Sequence, residues 1–187
     1  MQKDRPAPDH GHAPPPAGQT GTIIFILGGA RSGKSSFAES RMEALPGPWI
    51  YIATAQALDD EMRARIAMHR AGRDTRWRTV EAPHELAAAL ADAPEGSSVL
   101  VDCLTLWLTN RLLADVDVVS ERARLIAALA ARRAPTIVVS NEVGLGIVPD
   151  NALARRFRDE AGFLHQAVAA IATEAYFMVA GLSIRAK

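Results

Sequence analysis

Cysteine is nearly absent from this chain of 187 residues, which contains only Cys103. A single thiol excludes an internal disulfide and a zinc site built from four thiolates, and it is typical of a protein in a reducing compartment. Net charge is absent too, because 21 basic residues balance 21 acidic ones. The overall charge therefore gives no indication of a nucleic-acid or membrane partner. We expect Cys103 to be a buried, small apolar side chain.

Long apolar runs are also missing. No stretch reaches the roughly 18 uninterrupted apolar residues of a membrane span, and the N-terminus lacks the apolar core of a secretory signal. We therefore expect a cytoplasmic protein without a membrane span. Residues 1–21 hold five of the eleven prolines and almost no large apolar side chain, which predicts a disordered tail. Residues 22–187 are predicted to form a single domain.

Short apolar runs alternate with longer amphipathic segments in the rest of the chain. The runs have the length of strands and lie at residues 22–27, 49–53, 98–102, 136–140 and 175–180. Continuous apolarity is typical of strands that are buried on both faces of a parallel sheet. Helical patterns occur at 34–45, 59–71, 84–92, 104–114, 120–133 and 150–173. This alternation predicts a three-layer α/β fold, with helices on both faces of a mostly parallel sheet.

The first run leads directly into GGARSGKS, residues 28–35, which matches the phosphate-binding P-loop pattern G-x-x-x-x-G-K-[ST]. Gly28 and Gly33 allow the backbone to turn its amide hydrogens toward phosphate oxygens at the start of a helix. Lys34 would reach the β- and γ-phosphates, and Ser35 would be a ligand of Mg²⁺. The alternative is an ordinary glycine turn, but the strand before the motif and the helix after it favour the P-loop.

Polar residues also follow two later strands, at the carboxyl edge where such sheets bind ligands. Asp102 closes the third run and is a candidate for holding Mg²⁺, and the alternative is that it caps the helix beginning near residue 104. Asn141 and Glu142 follow the fourth run. They either lie beside a ligand or simply precede a glycine-containing turn, and the two interpretations are compatible.

The segment RIAMHRAGR, residues 65–73, places one histidine among three arginines. On a helix, Arg65, His69 and Arg73 would share one face, and the neighbouring guanidinium groups would favour a neutral imidazole. A neutral ring nitrogen is able to attack phosphorus while arginines hold the phosphate oxygens. The simpler alternative is a packed or solvated histidine without a catalytic role.

Several segments in this order resemble one enzyme family: LGGARSGKS, YIATAQALDDEMRARI, WRTVE, VLVDCLTLWLTN, SNEVGLGIVP, RFRDEAG and VAGLSIRAK. They are similar to the bifunctional adenosylcobinamide kinase / adenosylcobinamide-phosphate guanylyltransferase family of cobalamin biosynthesis. The resemblance implies a P-loop NTPase fold with a RecA-like sheet, assembled as a homotrimer. It also implies phosphorylation of the aminopropanol hydroxyl of adenosylcobinamide with ATP or GTP. Transfer of GMP from GTP to adenosylcobinamide phosphate would follow, giving adenosylcobinamide-GDP.

The same resemblance implies roles for individual residues. His69 matches the histidine that carries GMP as a covalent intermediate, and Met68 stands where some relatives have a second histidine. Lys34 is the other expected catalytic residue, while Ser35 and Asp102 would hold Mg²⁺. The implied nucleotide contacts are Gly28, Gly29, Ala30, Arg31, Ser32, Gly33, Lys34, Ser35, Ala53, Thr54, Ala55, Arg70, Ala71, Gly72, Arg73, Glu81 and Asp102. For the corrinoid, the sequence offers only Asn141 and Glu142 as candidate contacts.

Two other functions stay open from the residues alone. A single-activity P-loop kinase would keep Gly28–Ser35 and Asp102 but would have no use for His69, so it would form no GMP adduct. A nucleotide-binding regulatory or motor-like subunit would instead hydrolyse nucleotide in response to a protein partner.

Overall fold

The structure is a computed structural model that describes residues 21–57, 60, 63–64, 67 and 73–187. In this part of the chain, one sheet contains the strands β1 (Ile23–Gly28), β2 (Trp49–Ala53), β3 (Trp77–Glu81), β4 (Ser98–Asp102), β5 (Thr136–Asn141), β6 (Glu174–Val179) and β7 (Leu182–Arg185). The helices are α1 (Lys34–Glu43), α2 (Leu86–Asp92), α3 (Leu104–Leu113), α4 (Val118–Ala131) and α5 (Ala152–Ile171).

The strands lie in the order β3-β2-β4-β5-β1-β6-β7. Neighbouring strands are parallel, except that β6 and β7 form an antiparallel pair at one edge. The carboxyl ends of β1 to β5 therefore meet at one edge of the sheet. Because β5 lies between β1 and β4, the strand that leads into the P-loop and the strand that ends at Asp102 are two spacings of about 4.8 Å apart.

Apolar side chains form a core on each face of the sheet, because alternate strand residues point to opposite faces. One core lies under α1 and includes Ala38 and Met42. The other lies under α2, α3, α4 and α5, with Trp107, Leu125 and Leu164 among its members. Helices on both faces of a mostly parallel sheet were predicted, and the structure confirms this three-layer architecture.

The predicted strands are confirmed within one residue at each end, and the predicted helices other than 59–71 within two. Strands β3 and β7 were not predicted. Both lie at an edge of the sheet, and most of their side chains are exposed, so neither has the apolar run of a central strand.

Two sequence predictions fall largely or wholly outside the described residues: the tail up to residue 20 and most of the helix at 59–71. Gly21 is described, and its amide donates to the carbonyl oxygen of Arg132 at 2.8 Å, so the chain is tied to the domain from this residue onward. Within the described ranges, no helix combines the length and the apolar character that crossing a membrane requires.

Candidate active site

The turn between β1 and α1 has the backbone conformation that a P-loop requires. Gly33 has a φ of 91°, in the left-handed region that glycine adopts without strain. A Cβ atom on Gly28 would lie 2.6 Å from the carbonyl oxygen of Met178 and 2.8 Å from Ser32 Oγ, so a larger residue would not fit there. Both glycines of the motif are therefore needed for this turn.

Helix α1 begins directly after the turn without a capping side chain. Its N-cap is Gly33, whereas the N-caps of α4 and α5 are Asp117 and Asn151, whose side chains accept backbone amide hydrogens. The N-terminus of a helix carries a partial positive charge and amide groups that need acceptors. The uncapped start of α1 is consequently suited to binding a phosphate group.

Lys34 folds back over the P-loop. Its side chain is buried, with 7% of the residue exposed, and Nζ donates to the carbonyl oxygen of Gly29 at 2.6 Å. A buried ammonium group needs oxygen partners to offset the loss of water. The positive charge of Lys34 therefore lies within the loop, where a bound anion would meet it.

Asp102, at the end of β4, is joined to the start of α1. Its Oδ2 accepts a hydrogen bond from Ser35 Oγ at 3.0 Å and another from the Tyr51 hydroxyl at 3.1 Å. Helix α3 begins after Cys103, and no side chain caps it. The interpretation of Asp102 as a helix cap is therefore wrong, and its carboxylate instead faces the P-loop.

Thr54 connects the loop after β2 to the backbone that follows Asp102. It is fully buried, and its Oγ1 donates to the carbonyl oxygen of Cys103 at 2.7 Å and accepts the Cys103 amide hydrogen at 2.8 Å. Asn110 Nδ2 donates to the Thr54 carbonyl oxygen at 2.9 Å. These bonds turn the Thr54 side chain inward, while Ala53 and Ala55 on either side are half-buried.

The candidate nucleotide contacts on β2, β3 and β4 form a row across the carboxyl edge. Ala53 pairs in register with Glu81 on one side and with Asp102 on the other. Residues in register on neighbouring strands point to the same face of the sheet, so the Glu81 and Asp102 side chains share the face that carries α1. The structure thus brings together positions 28–35, 53–55, 81 and 102 at one edge.

Arg73 packs on the same face of the sheet. Its Cζ lies 3.2 Å from the centroid of the Tyr51 ring, and its Nε is 3.5 Å from Glu39 Oε1 on α1. Only 6% of its side chain is exposed. In the described arrangement, the Arg73 guanidinium group thus contacts an aromatic ring and a carboxylate.

Apart from Ala67, residues 65–72 of the arginine-rich segment lie outside the described residues. They include Arg65, His69, Arg70, Ala71 and Gly72. The roles inferred for these residues from the sequence therefore stay predictions.

Asn141 and Glu142 lie beside the P-loop and make contacts within the protein. The Asn141 amide nitrogen donates to Thr105 Oγ1 at 2.7 Å, and the Glu142 backbone amide donates to the carbonyl oxygen of Gly28 at 2.9 Å. Glu142 Oε1 accepts the backbone amide hydrogen of Gly144. These bonds fit the interpretation of a turn, and contact with a corrinoid stays a prediction.

Two further side chains, Cys103 and Tyr51, are buried at this edge of the sheet. Cys103 is buried as predicted, and burial raises the pKa of its thiol, so the thiol stays protonated. Tyr51 was missed by sequence reasoning. Burial, followed by the nearby Asp102 carboxylate, raises the pKa of the Tyr51 hydroxyl above its usual value of 10.0. The signal in the sequence was a tyrosine two residues before Ala53, on the same face of a strand that is otherwise aliphatic at its end.

Solved structures with a similar fold include a recombinase and an ATPase. The RadB recombinase aligns with a TM-score of 0.51 and 14% sequence identity, covering 84% of this chain and 74% of the recombinase. A prototypical ATPase from the type III secretion system of pathogenic bacteria aligns with a TM-score of 0.53 and 14% identity, covering 89% of this chain and 57% of the ATPase. At this level of identity the likeness concerns the fold alone, and it confirms a P-loop NTPase fold with a RecA-like sheet.

Curated relatives are far more similar in sequence. The bifunctional adenosylcobalamin biosynthesis protein CobP of Pseudomonas aeruginosa is 54% identical over 169 residues, covering 87% of this chain and 96% of the relative. The bifunctional adenosylcobalamin biosynthesis protein CobU of Salmonella typhimurium is 41% identical over 181 residues, covering 88% of this chain and 99% of the relative. The family model described as cobinamide kinase / cobinamide phosphate guanyltransferase matches residues 24–186. With this match and these identities along almost its whole described length, the chain belongs to the cobinamide kinase / cobinamide phosphate guanyltransferase family.

Proposed function

We propose that this protein phosphorylates the aminopropanol hydroxyl of adenosylcobinamide with ATP or GTP. It then transfers GMP from GTP to adenosylcobinamide phosphate, through GMP bound to His69, and gives adenosylcobinamide-GDP in cobalamin biosynthesis. The observation that carries the proposal is the convergence of Lys34, Ser35 and Asp102 at one edge of the sheet, in a chain of this family. Membership of a bifunctional family also argues against a single-activity kinase and against a motor-like subunit.

In the kinase reaction, the substrate hydroxyl oxygen attacks the γ-phosphorus of the nucleotide. A new oxygen–phosphorus bond forms, the bond from the γ-phosphorus to the bridging oxygen breaks, the nucleoside diphosphate leaves and the hydroxyl proton passes to solvent. Negative charge spreads over the phosphate oxygens in the transition state. The Lys34 ammonium group and the amide groups at the uncapped start of α1 would stabilise that charge.

Ser35 and Asp102 fit a magnesium ion. Their side-chain oxygens are 3.0 Å apart, and both are hard oxygen donors of the kind that Mg²⁺ prefers. Across the described ranges there is no cluster of three or more histidine, cysteine, aspartate or glutamate residues able to hold a metal without other ligands. In nucleotide enzymes Mg²⁺ is usually bound by one or two protein groups together with phosphate oxygens and water, so two protein oxygens are sufficient. When bound, the ion would supply positive charge to the phosphate oxygens.

In the second reaction, a neutral ring nitrogen of His69 attacks the α-phosphorus of GTP. A nitrogen–phosphorus bond forms, the bond between the α-phosphorus and its bridging oxygen breaks, and pyrophosphate leaves. An oxygen of adenosylcobinamide phosphate then attacks the same phosphorus, forms the new anhydride and releases the histidine. Covalent transfer divides one difficult displacement into two steps. Arg65, Arg70 and Arg73 would bind the triphosphate and stabilise the leaving pyrophosphate.

The assembly and location of the enzyme are part of the same proposal. We propose a homotrimer, as the family resemblance implies, and a cytoplasmic location, which a chain with a single cysteine suits. The mass of the 20.0 kDa chain in solution, measured by light scattering, tests the number of subunits.

The test of the covalent step uses GTP labelled at the α-phosphate. The wild-type protein should acquire one GMP per chain, in a bond that is stable to alkali and labile to acid, as a phosphoramidate is. His69→Ala and His69→Asn should lose this label, because neither side chain forms the adduct. Both variants should still phosphorylate adenosylcobinamide, since the γ-phosphate passes directly to the substrate hydroxyl.

The matched control is His84→Ala. His84 lies in the loop after β3, at the same edge of the sheet, and its Nε2 is 3.0 Å from Gln56 Nε2. This variant should keep the label. Label uptake by His69→Ala at the wild-type rate would place the intermediate on another residue, and a wild-type protein that takes up no label would be a kinase only.

A further inference from the structure

Tyr51 lies on the face of the sheet that carries α1, next to the candidate metal ligand Asp102. It is buried in β2, with 6% of the residue exposed. Asp102 pairs in register with Ala53, and Tyr51 precedes Ala53 by two residues, so the two side chains share one face of neighbouring strands. The Tyr51 hydroxyl reaches along that face and donates to Asp102 Oδ2 at 3.1 Å.

Two hydrogen bonds reach the same oxygen of the Asp102 carboxylate. Ser35 Oγ and the Tyr51 hydroxyl both donate to Oδ2. Two donors on one oxygen restrict rotation of the carboxyl group. They also direct the remaining oxygen, Oδ1, away from these two donors.

The Tyr51 ring is itself held in place from the other side. The Arg73 guanidinium group stacks on the ring at 3.2 Å, and it contacts Glu39 on α1 and Thr79 on β3, each at 3.5 Å. Trp77 packs against an edge of the ring, with centroids 6.4 Å apart. Packing on both sides leaves the hydroxyl little freedom to leave Asp102.

We propose that Tyr51 is a positioning residue, whose hydroxyl orients the Asp102 carboxylate so that Oδ1 is presented to the Mg²⁺ of the bound nucleotide. The inference rests on the proposed function, because it requires a nucleotide with its metal at the P-loop. Side chains that orient metal-binding groups in this way commonly change metal affinity or activity by about 10–100-fold when they are removed.

The test compares Tyr51→Phe with the wild-type protein in the binding of a fluorescent GTP analogue in which methylene groups replace both bridging oxygens of the triphosphate, so that neither proposed reaction cleaves it. Affinity is measured with excess chelator and at increasing concentrations of magnesium chloride. Tyr51→Phe keeps the ring and its contact with Arg73, so affinity without metal should stay within about twofold of the wild type, whereas the half-saturating Mg²⁺ concentration should rise about 10-fold or more. In the kinase assay, the same rise should appear in the Mg²⁺ dependence.

Tyr176→Phe is the matched control. The Tyr176 hydroxyl also donates to a carboxylate, Glu174 Oε2 at 2.6 Å, and Arg41 lies over its ring at 5.5 Å. It is on β6, three strands away from β4 in the sheet. Removing its hydroxyl should leave the Mg²⁺ dependence unchanged.

The outcomes separate this inference from the function on which it rests. A wild-type protein that does not bind the analogue, or binds it without regard to Mg²⁺, overturns the proposed nucleotide site and the role of Tyr51 together. A wild-type protein with clear Mg²⁺ dependence that Tyr51→Phe shares overturns the role of Tyr51 alone. Equal losses of affinity with and without Mg²⁺ would show that Tyr51 only supports the fold, and this also overturns the proposal.

Discussion

Replacing Thr54 with valine should destabilise the protein out of proportion to the size of the change. Valine has nearly the same shape, so packing is preserved, but the hydroxyl group is lost. In the folded protein that hydroxyl donates to the Cys103 carbonyl oxygen at 2.7 Å and accepts the Cys103 amide hydrogen at 2.8 Å. Thr54 is fully buried and Cys103 is buried, so water cannot take the place of the lost hydroxyl group.

The magnitude follows from the Cys103 amide, which loses its partner, whereas the Cys103 carbonyl oxygen still accepts the Trp107 amide hydrogen at 3.2 Å. One buried, unsatisfied polar group costs about 1–3 kcal/mol, so we expect Thr54→Val to lower the free energy of unfolding by about 1–3 kcal/mol. For a protein of this size, 1 kcal/mol corresponds to roughly 2–4 °C in the melting temperature, so we expect the melting temperature to fall by about 2–12 °C. Thr54→Ser retains the hydroxyl and should lose only about 1 kcal/mol for one buried methyl group.

Urea denaturation and thermal melting of Thr54→Val, Thr54→Ser and a control, Thr109→Val, provide the measurement. Thr109 Oγ1 donates to the Thr105 carbonyl oxygen at 2.9 Å inside α3, where that oxygen also has a helical amide partner. Its loss leaves no unsatisfied backbone group, so Thr109→Val should stay close to the wild type. If Thr54→Val were as stable as Thr109→Val, the reasoning from buried backbone groups at this edge would be refuted.

Two further predictions concern charge. Lys34→Ala should lower the rates of both proposed reactions by at least about 100-fold, because the buried ammonium group stabilises the charge of a bound phosphate. The melting temperature should change little. Near-normal turnover in a folded variant would contradict the nucleotide site. Burial lowers the pKa of His165 below its usual 6.5, and the nearby Glu142 carboxylate partly opposes this shift. The histidine therefore binds a proton more readily in the unfolded chain than in the folded one, and stability should fall as the pH drops below about 6.5. Denaturation of His165→Asn from pH 7.5 to pH 5 should show a flatter dependence, and equal slopes for both proteins would rule out His165 as the cause.

The central elements of the fold could be predicted from the sequence because their signals are local. A strand buried on both faces needs an unbroken apolar run, and β1, β2, β4, β5 and β6 each have one. The P-loop is likewise contained in eight consecutive residues, 28–35, and its glycine at position 33 has the left-handed backbone that the motif requires. The edge strands β3 and β7 carry no such signal, because most of their side chains are exposed and do not have to be apolar.

The features of the site likewise divide into those that depend on local sequence and those that depend on tertiary structure. The sequence by itself determined the phosphate-binding turn, the acidic end of β4 and membership of the family, since each depends on residues that are close together in the chain. Only the tertiary structure decided what Asp102 contacts. Ser35 and Tyr51 are separated from it by 67 and 51 residues, and their side chains meet its carboxylate because β4 pairs beside β2 and α1 packs across that face of the sheet. The role of Tyr51 could not be predicted from the sequence for this physical reason: which strand becomes its neighbour depends on the pairing of the whole sheet.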